Sequence, residues 1–190
     1  ALDQFRDLRD LKLVVNTHYF PEQIEAHLKG RDVDVLREKG EILETGGGLK
    51  NALPKLGSGP VFTMNTDAVW AAANPVSTLL DAWDQDPQTE ALLLLVPQDR
   101  AWAHKGTGDF SVTPDGCLSR GGPYTYTGVQ ILRTDRLADI SERSFSLNLI
   151  WSDMIAAGTA KGVIFDGHWC DVGAPEGITI AEDMLRRHDV

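Results

Sequence analysis

A strand, three consecutive glycines, a helix and a second strand that ends in an aspartate follow one another early in this chain, and that order limits what it can fold into. Glu44-Thr45-Gly46-Gly47-Gly48 stands before a helix-like run from Leu49 to Leu56. A Gly57-Ser58-Gly59-Pro60 turn leads into the apolar strand Val61-Phe62-Thr63-Met64, which empties into Asn65-Thr66-Asp67. Glycines at the mouth of a helix would leave its first N–H groups and partial positive charge open to a flat base, a ribose or a phosphate. Asp67 falls at the carboxyl end of a strand, where open α/β sheets present ligand-binding groups. The pattern suggests a nucleotide notch beside a carboxylate that holds a divalent cation. The plainer alternatives are a flexible glycine turn and an ordinary turn aspartate.

The rest of the chain reads as an α/β domain. Ala1–Leu11 has Leu2, Phe5 and Leu8 at helical spacing, and Leu11–Asn16 reads as a buried strand. A helix follows from about Glu22, with Pro21 suited to its first turn, then a short strand at Val33–Leu36. Pro75–Trp83 reads as a helix, and the unbroken apolar run Ala91–Val96 as a strand covered on both faces. Beyond Pro97 come shorter strands around Phe110, Val112, Leu118 and Tyr124–Leu132. Helices at Asp135–Ile140 and Leu147–Ala157, strands at Lys161–Phe165 and Gly167–Asp171, and a closing helix at Pro175–Arg187 complete the pattern. Alternating β and α, then a β-rich insertion and a returning helix, indicate a mixed sheet flanked by helices.

A length of 190 residues, 42% of them hydrophobic and 24% charged, fits a single domain over 1–190. No apolar run is long enough to span a bilayer, and no leader pattern precedes a cleavage site, so neither membrane nor export is expected. Cys117 and Cys170 lie far apart and read as reduced thiols in a cytoplasmic protein. The net charge of -10, without a Lys/Arg block, argues against nucleic acid and leaves nucleotides open.

A second constellation, His168-Trp169-Cys170-Asp171-Val172-Gly173-Ala174-Pro175, ends another strand in an aspartate just before a helix. Asp67 and Asp171 would supply the carboxylate pair that Mg²⁺ commonly takes from a protein, provided the sheet brings them together. Otherwise Asp171 is a helix cap.

The segments Leu13–Asn16, Glu44–Gly48, Asn65–Asp67 and His168–Pro175 occur in the order seen in sugar-1-phosphate nucleotidyltransferases. Over about residues 1–185 the chain resembles that family, and within it the bacterial N-acetylmuramate-1-phosphate uridylyltransferase group. The resemblance implies a Rossmann-like, GT-A-like fold and transfer of a nucleotidyl group from a nucleoside triphosphate, UTP first, to a sugar 1-phosphate with release of pyrophosphate. It implies Mg²⁺ on Asp67 and Asp171, a base and ribose against Thr45, Gly46, Gly47 and Gly48, and Asn16 and Asn65 on the nucleotide side. It also places the sugar phosphate near Gly108-Asp109, Thr127-Gly128 and Trp169. A turn at Gly108-Asp109 and core packing of Trp169 are the alternatives. A valine at Gly47 is expected to intrude on the nucleotide while sparing the fold.

Three departures accompany the resemblance. The family's N-terminal strand and its Gly-rich loop with an Arg do not occur in this sequence, so an unpaired strand edge is expected beside Leu11–Asn16 or Val61–Met64, and poor activity for this polypeptide alone. Ser119-Arg120-Gly121-Gly122-Pro123 replaces a Glu-Lys-Pro motif, which favours the muramate group over glucose-1-phosphate thymidylyltransferases. Thr66 stands where Gly is usual before the metal aspartate. A mannose-1-phosphate guanylyltransferase and an inactive nucleotide-sugar-binding module are the competing readings. Among the histidines, His18 is a candidate for the nucleotide cleft with a solvated loop residue as the alternative, His104 with Lys105 is a candidate for a mobile sugar-site loop, and His168 is expected to brace the metal loop rather than do acid–base work.

Overall fold

Residues 1–83 and 86–188 are described by a computed structural model of the chain. They fall into two units: Leu8–Val61 with Arg133–Ser152, which bears the glycines, and Ala1–Asp7, Phe62–Leu132 and the segment from Asp153 onward, which bears both aspartates.

In the glycine-bearing unit, β1 (Val14–Thr17), α1 (Pro21–Leu28) and β2 (Asp34–Arg37) form a strand–helix–strand unit with β1 and β2 parallel, Val14 opposite Asp34 and Thr17 opposite Arg37. Pro21 opens α1, where its missing N–H costs nothing. Next comes α2 (Glu44–Leu56), which ends at Gly57 with φ 88°, a conformation glycine adopts without strain. The helix begins at Glu44 rather than Leu49, so the three glycines lie inside it and are buried.

The aspartate-bearing unit takes up the chain at β3 (Val61–Met64), followed by β4 (Ala68–Ala71), α3 (Pro75–Trp83), β5 (Ala91–Pro97), β6 (Ala101–Trp102), β7 (Phe110–Val112), β8 (Leu118–Arg120) and β9 (Tyr124–Leu132). After α4 (Asn148–Ala156) come β10 (Ala160–Ile164), β11 (His168–Asp171) and α5 (Pro175–Arg187). One sheet has the order β10-β5-β9-β7-β8, with β3 also on β9; the other has the order β4-β11-β6. β5 is parallel to β10 and antiparallel to β9, and its residues Ala91–Val96 are all buried, as an apolar run without alternation requires. The core around it gathers Leu79, Leu92, Leu94, Val129, Phe165, Trp70 and Trp169. The fold is α/β, with mixed sheets and flanking helices, as the alternation of strands and helices along the chain implies.

Other elements also differ from the sequence pattern, the expected helix at Asp135–Ile140 being a 3-10 segment, Asp135–Asp139. The expected N-terminal helix is only a single 3-10 turn at Leu2–Phe5, with Asp10 at φ 57° interrupting continuation; Phe5 instead packs edge-on against Phe62, ring centres 5.6 Å apart. β4 has no local signature because its existence depends on pairing with β11, a hundred residues away. Among the described residues, β1 pairs along one edge, with β2, and β3 along one edge, with β9. No helix among them is long and apolar enough to cross a membrane.

Candidate active site

Antiparallel pairing of β4 with β11 sets Asp171 opposite Ala68, the residue after Asp67, and the Val172 N–H donates to the Asp67 carbonyl at 2.8 Å. The two aspartates therefore share one end of a three-stranded sheet. Their side chains converge: a Cβ placed on Gly173 would lie 3.1 Å from Asp171 Oδ1 and 3.3 Å from Asp67 Oδ2. Glycine at 173 leaves that spot clear of side-chain atoms. The Gly173 N–H holds Asp171 Oδ1 at 2.9 Å. The cap of α5 is Ala174 without a side-chain bond, so Asp171 does not act as the helix cap.

Two carboxylates facing one point repel each other unless a cation lies between them. Among the described residues no lysine or arginine pairs with either one. A hard oxygen pair of this kind suits a hard divalent cation. The neighbouring Cys170 offers no competing thiolate: burial, and then the Asp171 charge, push its thiol up to about 11.

Asn65, at the end of β3, is built against β9. Its N–H donates to the Gly128 carbonyl at 3.0 Å, and Gly128, at φ 82°, leaves no room for a Cβ, which would lie 2.8 Å from the Asn65 side chain. The β5–β9 register shifts here, between Leu93 and Leu95, in the manner of a β-bulge. Gly128→Ala combines a left-handed backbone with this collision. It is expected to destabilise the protein by about 1–3 kcal/mol, read as a lower denaturant midpoint.

Several sequence candidates have structural occupations. The Thr127 hydroxyl donates to the Leu94 carbonyl at 2.9 Å inside the sheet and is 0% exposed, which removes its side chain from any ligand. Trp169 is 6% exposed and belongs to the core with Trp70, so its ring does not cover a sugar; the core alternative describes it. Asp109 braces the β7–β9 region: its Oδ2 accepts the Tyr126 N–H at 2.9 Å and its carbonyl accepts the Gly121 N–H at 2.8 Å. Gly108, at φ 108°, lies so close to the Gly122 carbonyl that no side chain fits.

The glycine segment is also differently used. The N–H groups of Gly46 and Gly47 both donate to the Phe145 carbonyl, at 2.9 and 3.1 Å, rather than pointing outward. A Cβ on Gly46 would run into the Phe145 ring, and one on Gly47 into the Arg143 carbonyl. The Thr45 hydroxyl accepts the Leu147 N–H at 3.0 Å. Gly48 faces the carboxyl end of the β1–β2 pair, where a Cβ would lie 2.6 Å from Asn16 Nδ2 and 3.0 Å from Glu38 Oε1. Glu38 was not singled out by pattern; its Oε2 also accepts the Leu43 N–H at 3.1 Å, just before α2.

His168 opens β11 and accepts the Trp102 Nε1–H on Nδ1 at 3.2 Å, while its ring stacks on His188 at 3.8 Å. Burial, followed by the charges of His188 and Arg100, holds its pKa below the usual imidazole value, with Asp99 opposing. The neutral ring is the one that folding favours. Its stabilising contribution is complete above about pH 6.5 and is lost as pH falls through the lowered folded value. The thermal midpoint is expected to drop on acidification below that point, and less so in His168→Gln, by scanning calorimetry.

No family model matches the chain. It is 36% identical, over a 186-residue alignment covering 90% of this chain and 76% of the other, to the N-acetylmuramate alpha-1-phosphate uridylyltransferase of Caulobacter vibrioides. It is 29% identical over 176 residues, 85% of this chain and 73% of the other, to the protein of the same name from Neisseria meningitidis serogroup B. In fold it is similar to HddC from Yersinia pseudotuberculosis complexed with GMP-PN, with a TM-score of 0.73 at 19% identity, covering 96% of this chain and 82% of that one. With a relative of this identity and coverage, and with two strand-end aspartates turned to one point in a fold of the same kind, the chain belongs to the sugar-1-phosphate nucleotidyltransferase superfamily.

Proposed function

We propose that the protein transfers a uridylyl group from UTP to N-acetylmuramate 1-phosphate or a closely related sugar 1-phosphate, with Mg²⁺ held by Asp67 and Asp171. The observation that carries this reading is the convergence of the two carboxylates over Gly173. The names of the two curated relatives supply the base and the sugar.

In this reaction a phosphate oxygen of the sugar 1-phosphate attacks the α-phosphorus of the nucleotide. The bond from that phosphorus to the bridging oxygen breaks, and pyrophosphate leaves. Neither a side-chain nucleophile nor a general base is needed, so positioning and charge neutralisation carry the chemistry. Mg²⁺ bound at the pair would supply Lewis-acid stabilisation of the charge on the transferring group. Asp67 and Asp171 hold that cation, and the Gly173 N–H fixes the rotation of Asp171. Burial keeps Cys170 a neutral thiol behind them. Within the glycine segment, Gly46 and Gly47 are engaged with Phe145, and Gly48 lies beside the side-chain ends of Asn16 and Glu38.

A pyrophosphate-release assay on the full-length protein across UTP, GTP and dTTP with several sugar 1-phosphates tests the proposal. Turnover with UTP and N-acetylmuramate 1-phosphate well above every other pair is the expected result. Preference for GTP with mannose 1-phosphate, or nucleotide binding without turnover on any pair, would overturn it.

A further inference from the structure

The loop that leaves β6 carries an imidazole to the carboxylate pair. β6 runs parallel to β11 with Trp102 opposite Cys170, so the chain leaves β6 alongside Asp171. Ala103, at φ 58°, turns it there. His104 then places Nδ1 3.8 Å from Asp171 Oδ2. Its ring meets Trp169 edge-on, with centres 5.5 Å apart. On the far side, a Cβ on Gly106 would collide with Nε2, so only glycine at 106 leaves the ring its place. The imidazole is thereby located from three sides, and its side chain is 23% exposed.

Asp171 is thus addressed at both oxygens: the Gly173 N–H at Oδ1 and His104 at Oδ2. At 3.8 Å the imidazole faces Asp171 Oδ2 at a separation longer than a hydrogen bond. We propose that His104 is a positioning residue for the Asp67–Asp171 cation site, fixing the orientation in which Asp171 presents its oxygens. It is not itself a ligand. The inference rests on the reading of Asp67 and Asp171 as cation ligands. It also gives the Ala103–Gly108 loop a connection to the cation, since this loop runs directly into Gly108-Asp109.

Partners that orient metal ligands without touching the metal typically contribute about 10–100-fold to metal affinity. The test is Mn²⁺ binding to the purified protein, read by electron paramagnetic resonance of the free ion, with no turnover involved. His104→Phe keeps a ring against Trp169 and removes the nitrogen; it is expected to weaken Mn²⁺ binding about tenfold or more with an unchanged thermal midpoint. His104→Asn, which returns a nitrogen donor near the Nδ1 position, is expected to restore most of the affinity. Gly106→Ala, which displaces the ring without altering it, is expected to weaken binding as His104→Phe does.

Wild-type Mn²⁺ affinity in His104→Phe, with binding lost in Asp171→Asn, would overturn the role of His104 and leave the carboxylate pair standing. Equal weakening in His104→Phe and His104→Asn would overturn it too, because packing alone would then explain the loss. No Mn²⁺ uptake by the wild-type protein would overturn the pair itself, and the proposal with it.

Discussion

Asp67→Asn and Asp171→Asn are each expected to lower turnover by about a thousandfold or more, because each removes an anionic ligand from the cation that stabilises the transferring charge. The fold should survive both. Asparagine has nearly the same shape, and an amide oxygen at 171 still accepts the Gly173 N–H. The exchange also relieves repulsion between two carboxylates that share the point above Gly173, so the thermal midpoint should stay level or rise. Loss of activity together with retained or higher stability separates a functional pair from a structural one. Initial rates of pyrophosphate release, with calorimetry on the same samples, give both readings. The double variant should be little worse than either single one, since the two residues serve one cation.

Gly46→Ala and Gly47→Ala are expected to destabilise the protein by about 3 kcal/mol or more, against the usual sign. Inside an ordinary exposed helix, replacing glycine by alanine is favourable by about 1 kcal/mol, because the unfolded chain loses freedom and the helix gains a good former. Here the new methyl would meet the Phe145 ring at position 46 and the Arg143 carbonyl at position 47. A main-chain carbonyl cannot swing aside as a side chain can, so the helix must lift off the segment whose Phe145 carbonyl accepts both glycine N–H groups. For a chain of this size the effect corresponds to roughly 6–12 °C in the thermal midpoint. Gly48→Ala is the contrast. Its methyl meets the side-chain ends of Asn16 and Glu38, which can move, so stability should change little while nucleotide binding weakens. The expectation from sequence placed the nucleotide effect at Gly47, whereas the geometry moves it one residue on.

Those glycines show what sequence could and could not convey. Runs with an unambiguous period or firm end signals were legible to the residue: Val61–Met64 bounded by Pro60, Pro75–Trp83, and Pro175–Arg187 behind its proline. The two aspartates were legible as strand ends, and the strand pairing that joins them was not. β4 is four residues long without a period, and only its register with β11 sets Asp67 beside Asp171. Glycine is ambiguous in a different way, since a missing side chain admits a ligand or another part of the chain equally well. At positions 46 and 47 the neighbour is the chain itself. Thr127 was placed near the sugar phosphate by the family resemblance, yet its hydroxyl bonds to the Leu94 carbonyl; for Trp169 the core alternative is the one the packing matches. His104 was legible only as a sugar-site loop candidate beside Lys105, and its place next to Asp171 was not; β6 is two residues long, and its alignment beside β11 is a purely tertiary fact.

Anomalous diffraction from crystals grown with Mn²⁺ and nucleotide addresses the central claim most directly. A single peak ligated by carboxylate oxygens of both Asp67 and Asp171, above Gly173, is the expected result. Density for the ion elsewhere, or ligation by one of the two aspartates with the other turned away, would contradict it.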